Sequence, residues 1–401
     1  MTDFPFEIKD SNWDFSEVHR ALRDLVDSRT LPMALSVVLR GQEVVDFFQA
    51  GWQDREEHVP VSPKSIVRLF SNTKPVTAVA AMILWERGAF GLESPLTEFF
   101  PEFSDLKVLR EGASEATEVE DLRVTPTVRH LLCHTAGFSY GIFGESLVDP
   151  LYGENRILSP AVSLEQTVEN LARIPLAYQP GRRFQYSVSM DVAARLVEIV
   201  SGKTFGEFVS ESVLQPLGMV DTGFHVQDKD ADRFCVLYGP KDPMSPMEGE
   251  CYRTNETSGA FTREPLFESG GGGLVSTIVD YTRFMQMVAG EGSLAGVRLL
   301  RPETVRLMRT PQLPDGVRIQ LPTWEMPGTS FGIGFALKLQ PAPGEPKAAV
   351  DEFHWGGLAG THTWVAPRAG VAALCFTQRM LSFWHPFGQE FKRGVYEAVC
   401  S

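Results

Sequence analysis

Residues Val67 to Gly88 read VRLFSNTKPVTAVAAMILWERG, which joins a strand-like run to a long apolar segment. Pro75 fits only the first turn of a helix and Gly88 is a stop signal, so the sequence predicts a helix that begins next to Ser71. Helical residues three positions apart share a face, which brings the Ser71 hydroxyl to the Lys74 amine. The stretch therefore predicts a serine nucleophile with a lysine partner.

A serine hydroxyl is a poor nucleophile until a base takes its proton. Lysine, whose pKa is ordinarily ~10.4, can be that base only if burial lowers its pKa. The almost wholly apolar run from Val76 to Leu84 predicts such burial. Backbone N–H groups at the start of a helix would also favour a developing oxyanion.

The Ser-x-x-Lys pattern is weak evidence by itself. A second match, Ser104 to Lys107, lies in a polar stretch and is predicted to be a solvated loop. The strand-like residues before Ser71 and the apolar helix after it distinguish the first match from the second.

Composition and charge exclude several classes of function. The chain has 401 residues, 43% of them hydrophobic and 22% charged, and no segment has the composition of a linker, so one catalytic domain over residues 1–401 is expected. The net charge of −14 and the lack of a basic stripe argue against nucleic acid as a partner. No apolar run reaches the ~20 residues that a membrane span requires.

Cellular location is predicted from two features. The first residues lack the charged and apolar regions of a secretory signal. The five cysteines are odd in number and scattered, which favours reduced thiols. A cytoplasmic enzyme is therefore expected.

The order of the predicted elements indicates an α/β protein. Strand-like runs occur near both termini, within 33–48 and 331–377, and helical periodicity dominates between them. We expect an antiparallel sheet built from N- and C-terminal strands and flanked by helices. An α/β subdomain would comprise about 1–70 and 275–401, and a mostly helical subdomain about 71–274.

Tyr186 precedes a helix that is predicted to start near Ser189. If Tyr186 lies close to Lys74, the lysine cation would lower the pKa of the phenol, which could then relay protons to and from Ser71. The alternative is an ordinary half-buried tyrosine whose hydroxyl bonds to the backbone.

A glycine-rich segment, HWGGLAG from His354 to Gly360, ends a predicted strand. Glycines there would let an acyl group lie directly against the strand backbone, whose N–H could complete an oxyanion hole with the Ser71 N–H. The alternative is a hairpin with no catalytic role.

Taken together and in this order, Ser71-x-x-Lys74, Tyr186 and Trp355-Gly356-Gly357 resemble the signature of the serine β-lactamase and DD-peptidase superfamily. The phrase VRHLLCHTAGF from Val128 to Phe138 is similar to one that recurs in the family VIII carboxylesterases, which the chain resembles more closely. The resemblance implies a β-lactamase-like fold and an acyl-enzyme on Ser71, with Lys74 and Tyr186 sharing the roles of general base and acid. The sequence leaves open which of the two is the resting base. It also implies an oxyanion hole from the N–H groups of Ser71 and Leu358. The substrate-binding residues that it implies are Phe138, Val188, His354, Trp355, Gly356 and Gly357.

Two departures from the β-lactamase pattern bear on the substrate. Val188 stands where those enzymes have asparagine. Lys-Thr-Gly is replaced by Trp355-Gly356-Gly357 or, in the other possible register, by His354-Trp355-Gly356, and either replacement removes the groups that grip a substrate carboxylate. The more apolar pocket favours neutral esters, so the expected activity is that of a serine carboxylesterase on short- to medium-chain esters. The expected partner is a small-molecule ester, with no metal and no other cofactor, and the sequence leaves the oligomeric state open.

Several alternatives remain open from the sequence. Within the superfamily they are a β-lactamase, a D-aminopeptidase or an acyltransferase, and in another class a non-catalytic ligand-binding protein of the penicillin-recognising type. A last alternative is an α/β-hydrolase with Ser139 as its nucleophile, because the sequence matches the Gly-x-Ser-x-Gly nucleophile elbow at Gly137-Phe138-Ser139-Tyr140-Gly141. The strand and the helix that must flank that elbow are not predicted.

Two further motifs have structural interpretations. His130 and His134 share a helical spacing, but no acidic residue completes a zinc motif. Gly270 to Gly273 lack the Lys-Ser/Thr ending of a phosphate loop and are predicted to form a flexible turn beside the active site.

Overall fold

The computed structural model describes residues 4–400 except 248, 255–258, 322–323, 344 and 384. Its strands are β1 Met33–Arg40, β2 Glu43–Asp54, β3 Val59–Pro60, β4 Val67–Arg68, β5 Lys107–Leu109, β6 Val119–Asp121, β7 Tyr238–Pro240, β8 Cys251–Arg253, β9 Val275–Ser276, β10 Ser293–Leu294, β11 Val297–Arg298, β12 Gln320–Leu321, β13 Trp324–Glu325, β14 Thr329–Phe331, β15 Ala336–Lys338, β16 Phe353–Gly357, β17 Thr361–Ala366 and β18 Val371–Phe376.

The α-helices are α1 Ser16–Asp27, α2 Thr73–Glu86, α3 Val128–Leu132, α4 Asp149–Glu154, α5 Leu164–Leu171, α6 Ser189–Ser201, α7 Phe205–Val209, α8 Gln215–Leu217, α9 Ile278–Ala289, α10 Pro302–Met308 and α11 Phe387–Cys400. None of the helices in the described part of the chain has the length and apolar character needed to cross a bilayer.

One sheet of eight strands joins the two ends of the chain. Its order is β14-β15-β16-β17-β18-β1-β2-β3, and every neighbouring pair is antiparallel. The N-terminal β1 pairs directly with the C-terminal β18, with Leu35 opposite Phe376. The predicted antiparallel sheet from both termini is therefore confirmed.

Both faces of the central strands are buried. Alternate residues of a strand point to opposite faces, and in β1 Leu35 and Val37 enter the main core while Ala34 and Val38 enter a second core. The second core contains residues of α1 and α11, which pack against each other on that face of the sheet. The main core continues into the helices on the opposite face, where α2 lies.

Helix α2 has twelve consecutive buried residues, Thr73 to Leu84, because its sequence is apolar on all sides. It packs against α6, and Gly88, with φ +76°, follows its end. Strand β4, just before Ser71, pairs with β9, just after Leu274, in a separate two-stranded sheet, so the segments that lead into and out of the helical region meet there. Contacts of the Phe70–Asn72 turn with β16 and β17 hold the beginning of α2 beside the eight-stranded sheet.

Two elements have boundaries that local contacts set. Helix α9 begins at Ile278, because the Thr277 side chain caps it by accepting from the Asp280 N–H, and Val275–Ser276 before it is strand β9. Strands β14 and β15 are separated by a turn. Gly334 makes this turn with φ +79°, and a Cβ there would lie 2.3 Å from the Ala78 Cβ of α2.

Candidate active site

Ser71 lies in a single 3₁₀ turn, Phe70–Asn72, immediately before α2. Phe70 has φ +46°, a conformation that costs free energy for a residue with a side chain and that often marks a functional site. The turn is held from two sides, because Tyr281 donates to the Asn72 carbonyl (2.7 Å) and the Asn72 amide donates to the Thr361 carbonyl (2.7 Å). Ser71 itself is only half-buried and remains accessible.

The serine, the lysine and the tyrosine predicted from the sequence lie together. Tyr186 Oη donates to Ser71 Oγ over 2.7 Å, and Lys74 Nζ lies 3.3 Å from the same oxygen. Lys74 comes from α2 and Tyr186 from the segment just before α6, so the packing of these helices sets the geometry. A hydroxyl with two proton-transfer groups on one oxygen is the arrangement that activates a nucleophile.

Lys74 is almost completely enclosed, with 1% of its surface exposed. Burial lowers the pKa of its amine to about 7, and the carboxylate of Asp191 opposes that shift. The Nζ atom donates to the Gly271 carbonyl (2.6 Å) and lies 3.4 Å from Tyr140 Oη. A substantial fraction of this lysine is therefore neutral near pH 7 and able to accept a proton.

The predicted lowering of the Tyr186 pKa is wrong. Burial raises the pKa of this phenol above its usual value, although its hydrogen bond to Ser71 acts in the opposite direction. The Lys74 amine lies only 4.5 Å from the Tyr186 ring centroid. Its protonated form would lower the pKa of the phenol, but the loss of hydration around the phenol has the larger effect. Tyr186 is thus a neutral phenol that donates to Ser71.

The two N–H groups predicted to form an oxyanion hole have no competing acceptor. Within the described residues, neither Ser71 N–H nor Leu358 N–H donates to a protein atom. Leu358 follows β16 in the turn to β17, and its carbonyl accepts from Ser382 N–H at 3.1 Å. Buried and half-buried amides are normally satisfied, so these two unpaired N–H groups are available for a ligand.

Gly357 is required for a reason that the sequence did not indicate. A Cβ at this position would lie 2.1 Å from the Leu69 carbonyl oxygen and 2.3 Å from Thr361 Oγ1. The glycine therefore lets β16 contact the backbone just before Ser71, whereas the prediction was that it makes room for an acyl group. Gly356 is less restricted, because a Cβ there would lie 3.0 Å from His362 Nδ1.

Alternation along β16 separates Trp355 from His354. The Trp355 ring faces Tyr186, with centroids 5.4 Å apart. His354 precedes it and points to the other face of the strand, although both residues line one cavity of about 370 Å³ together with His362 and Lys392. Trp355 thus contacts Tyr186, while the His354 ring lies on the opposite face of the strand.

Phe138 and Val188 do not occupy the predicted substrate pocket. Their exposed fractions are 1% and 0%, and both lie in the main hydrophobic core, where Phe138 packs against Phe103. Val188 precedes α6, and its N–H donates to the Ser139 carbonyl. Because neither presents surface to a ligand, we withdraw them from the substrate-binding set.

Three groups next to Lys74 were missed in the sequence. Tyr140 stacks on Tyr186 (centroids 5.3 Å apart), Gly271 supplies the carbonyl that accepts from Lys74, and Asp191 is a buried carboxylate near the amine. Tyr140 lies in the elbow-like motif, and Gly271 in the glycine run that was predicted to lie beside the active site. Asp191 has no signal of its own beyond its place five residues after Tyr186.

The elbow-like serine is buried in a hydrogen-bond network. Ser139 Oγ donates to Asp149 and accepts from Gln185 Nε2 at 3.0 Å, and the residue is 1% exposed. Helix α3 precedes the motif where a nucleophile elbow needs a strand. Ser139 is thus a structural residue of the loop beside the site.

The two histidines of the helical pair have separate partners. His130 Nδ1 accepts from the Thr127 N–H and completes a capping box, whereas the His134 ring contacts Ser187 and packs on Tyr186. Among the residues with described positions, no cluster of three or more His, Cys, Asp or Glu could hold a metal ion.

Apolar side chains surround Tyr186. Buried Phe184, Phe331 and Trp355 pack with it in a small core. Partly exposed residues pack against this core. They are Tyr140, Phe143, Leu313, Val317, Met326 and Phe383. The phenol that donates to Ser71 therefore lies in apolar and aromatic surroundings.

Comparison with known proteins places the chain in a family. The family model described as Beta-lactamase matches residues 18–387. Esterase EstB of Burkholderia gladioli is 31% identical over 373 residues, which cover 89% of this chain and 88% of EstB. Monacolin J acid methylbutanoyltransferase of Aspergillus terreus is 26% identical over 403 residues, 94% of each chain.

The fold is also that of solved relatives. The structure of "EstCE1, a hydrolase with promiscuous acyltransferase activity" superimposes with a TM-score of 0.77 at 24% identity, covering 96% of this chain and 97% of that one. The predicted β-lactamase/DD-peptidase-like fold is thereby confirmed. The chain belongs to the beta-lactamase family and is a serine hydrolase or acyltransferase of that superfamily.

Proposed function

We propose that this protein is a serine carboxylesterase that hydrolyses short- to medium-chain esters through an acyl-enzyme on Ser71. The observation that carries the proposal is the convergence of Tyr186 Oη and Lys74 Nζ on Ser71 Oγ, at 2.7 and 3.3 Å. The 31% identity to an esterase over most of the chain supports the same reaction class.

Acylation begins with Lys74 in its neutral form. Its amine accepts the proton of Ser71 as Oγ attacks the carbonyl carbon of the ester, and the carbonyl oxygen becomes an oxyanion held by the N–H groups of Ser71 and Leu358. The tetrahedral intermediate then breaks its bond to the alcohol oxygen. Tyr186 donates its proton to that departing oxygen and recovers a proton from the Lys74 ammonium, which leaves an ester of Ser71.

Deacylation repeats these proton transfers with water. The Lys74 and Tyr186 pair takes a proton from a water molecule that attacks the acyl carbon, the same two N–H groups hold the oxyanion, and Ser71 leaves with the proton returned to it. Because Lys74 has the lower pKa and Tyr186 is held neutral by burial, Lys74 is the resting base and Tyr186 the acid.

The surroundings of Ser71 favour a neutral, apolar substrate. In the motif order that opens with Trp355, this residue stands where the β-lactamase pattern has the lysine that binds a carboxylate, and its ring packs with other aromatic side chains around Tyr186. An apolar acyl chain would bury its surface there with a gain of about 25 cal/mol per Å². Trp355 and Gly357 stay in the proposed site, Trp355 as a wall and Gly357 through the position of β16.

Matched serine variants test the proposal. A fluorophosphonate probe should label the protein and Ser71→Ala should abolish both labelling and turnover of p-nitrophenyl butyrate, whereas Ser139→Ala should keep both. Retained labelling in Ser71→Ala would refute the proposal, and no labelling of the unaltered protein would favour a non-catalytic ligand-binding protein.

A second assay separates the rival acyl donors and acceptors. Turnover of p-nitrophenyl butyrate should exceed that of a chromogenic cephalosporin, and a faster lactam reaction would replace the esterase proposal by a β-lactamase. Added alcohols test acyl transfer, which the 26% identical transferase suggests as the second candidate. Product that forms mainly as a new ester, rather than as the free acid, would establish the transferase.

The cytoplasmic location stays a prediction of the sequence.

A further inference from the structure

The buried carboxylate of Asp191 acts electrostatically on Lys74, and within the described part of the chain its hydrogen bonds go to neither Ser71 nor Tyr186. Asp191 is the third residue of α6 and is 1% exposed. Its Oδ1 accepts from Ser269 Oγ (2.5 Å) and from the Gly271 N–H (3.0 Å). Its Oδ2 is buried and has no hydrogen-bond partner within the described part of the chain.

The Gly271 residue connects this carboxylate to Lys74. Its N–H donates to Asp191 Oδ1, and its carbonyl accepts from Lys74 Nζ at 2.6 Å. The carboxylate fixes the backbone on one side of the residue, and the amine binds the carbonyl on the other. Movement of Asp191 would therefore move the atom to which Lys74 is bonded.

The loop that carries Gly271 has no room to adjust. A Cβ on Gly271 would lie 2.7 Å from Asp191 Oδ2, and one on Gly270 would lie 2.4 Å from the Met190 carbonyl oxygen. Thr77 Oγ1 adds a hydrogen bond to the Gly270 carbonyl at 2.7 Å. The glycine run is thus a tightly packed support between α2 and α6, where the sequence predicted a flexible turn.

The groups that face Lys74 come from every element packed around it. Ser71 precedes it on its own segment, Tyr186 precedes α6, and Tyr140 and His134 follow α3. His134 is neutral because burial lowers its pKa well below the usual value, an effect to which Lys74 adds. The charge of Asp191 opposes the lowering of the Lys74 pKa, while burial raises the pKa of Asp191 itself and its hydrogen bond from Ser269 and the Lys74 charge oppose that rise.

We propose that Asp191 is a positioning residue for Lys74, which it holds against Ser71 through the Gly271 residue and through its own negative charge. This inference rests on the proposed role of Lys74 as the base. An anion beside the amine stabilises the ammonium form, so removal of the charge should let Lys74 lose its proton at lower pH.

The variant Asp191→Asn removes the charge and keeps the size and one acceptor oxygen. We expect the acid limb of the kcat/KM profile for p-nitrophenyl butyrate to move to lower pH by about 1 unit, together with a fall in kcat from the less firmly held amine. Asp280→Asn is the matched control, because Asp280 is also a buried aspartate at the start of a helix but bonds to Asp221 N–H and Thr222. Its acid limb should stay in place.

A purely structural role would lower kcat and leave the limb unmoved, which would overturn the inference. NMR of ¹³Cε-lysine, assigned with Lys74→Met, measures the Lys74 titration without any substrate. The midpoint of the Lys74 titration should move to lower pH in Asp191→Asn whichever acyl donor the enzyme uses. An unchanged midpoint would refute the role of Asp191 and would leave the esterase proposal untouched.

If Asp191→Asn does not fold, the reciprocal experiment decides. Coupling between two sites acts equally in both directions, so Lys74→Met should raise the pKa of Asp191 in ¹³Cγ-aspartate spectra. An Asp191 titration unaffected by the loss of Lys74 would refute the inference.

Discussion

Substitution of Tyr186 by phenylalanine isolates a single proton donor. The change removes only the oxygen that donates to Ser71 Oγ over 2.7 Å. The ring contacts to Trp355, Tyr140 and His134 remain, with centroids 5.4, 5.3 and 5.0 Å away. We therefore expect a folded protein whose Ser71 and Lys74 are still in place.

The size of the effect follows from the role of the phenol. Positioned acid–base groups contribute typically about 10²- to 10⁴-fold to a rate, which corresponds to ~3 to 5 kcal/mol on the barrier. The cost in stability should be much smaller, about 1 kcal/mol, because one hydrogen bond is lost and no cavity larger than an oxygen atom is formed. A large fall in kcat with a small fall in Tm is the expected combination.

Two esters with the same acyl group provide the assay. p-Nitrophenolate leaves without needing a proton, whereas the alkoxide of an ethyl ester must be protonated as it departs. Single-turnover acylation by ethyl butyrate should thus fall much further in Tyr186→Phe than acylation by p-nitrophenyl butyrate. The Lys74 base remains available for both substrates.

Equal losses with the two esters would show that Tyr186 does not protonate the leaving group. Retention of more than a tenth of the rate with ethyl butyrate would refute its role as the general acid. A fall in Tm comparable to that of a core substitution would instead identify the hydroxyl as a structural group.

The remaining predictions concern Lys74 and Gly357. Since the base must be neutral and the pKa of Lys74 is lowered to about 7, kcat/KM should be small at acidic pH and rise through pH 7 as the ammonium loses its proton; a profile that is flat between pH 5 and 8 would contradict Lys74 as the base. Gly357→Ala should destabilise the protein by about 1–3 kcal/mol and reduce activity, because its Cβ would overlap the Leu69 carbonyl next to Ser71. Its control is Gly153→Ala in helix α4, where nothing lies within 4 Å and helix propensity predicts a gain of about 0.5–1 kcal/mol in the free energy of unfolding. Thermal denaturation and ester turnover of the two variants check this, and equal stability of both would show that β16 can move away from Leu69.

Contacts between neighbours in the chain could be predicted from the sequence. The Ser71 and Lys74 pair depends on helix periodicity alone, which fixes the distance between residues three positions apart once Pro75 sets the start of the helix. The antiparallel sheet from both termini followed from the two sets of strand-like runs. Tyr186, Trp355 and Leu358 were identified only because their order resembles a family signature.

Contacts between distant segments could not be predicted in this way. A sequence does not reveal that the glycine at 357 is needed because the Leu69 carbonyl approaches it, nor that Phe138 and Val188 turn into the core rather than toward the ligand. The predicted direction of the Tyr186 pKa shift was wrong, because the direction depends on the balance between burial of the phenol and the charge of Lys74. Both are properties of the packed site.

The sequence by itself predicted Ser71 as the nucleophile with Lys74 as its partner and indicated the family, since these depend on local spacing and on motif order. Only the tertiary structure decided that the Tyr186 phenol reaches Ser71, that the Gly271 residue links Asp191 to Lys74, and that burial lowers the pKa of the lysine. The physical reason is that proton affinity and contact distance depend on which atoms surround a group in space, and helices α2 and α6 with strand β16 bring those atoms together from segments more than a hundred residues apart in the chain.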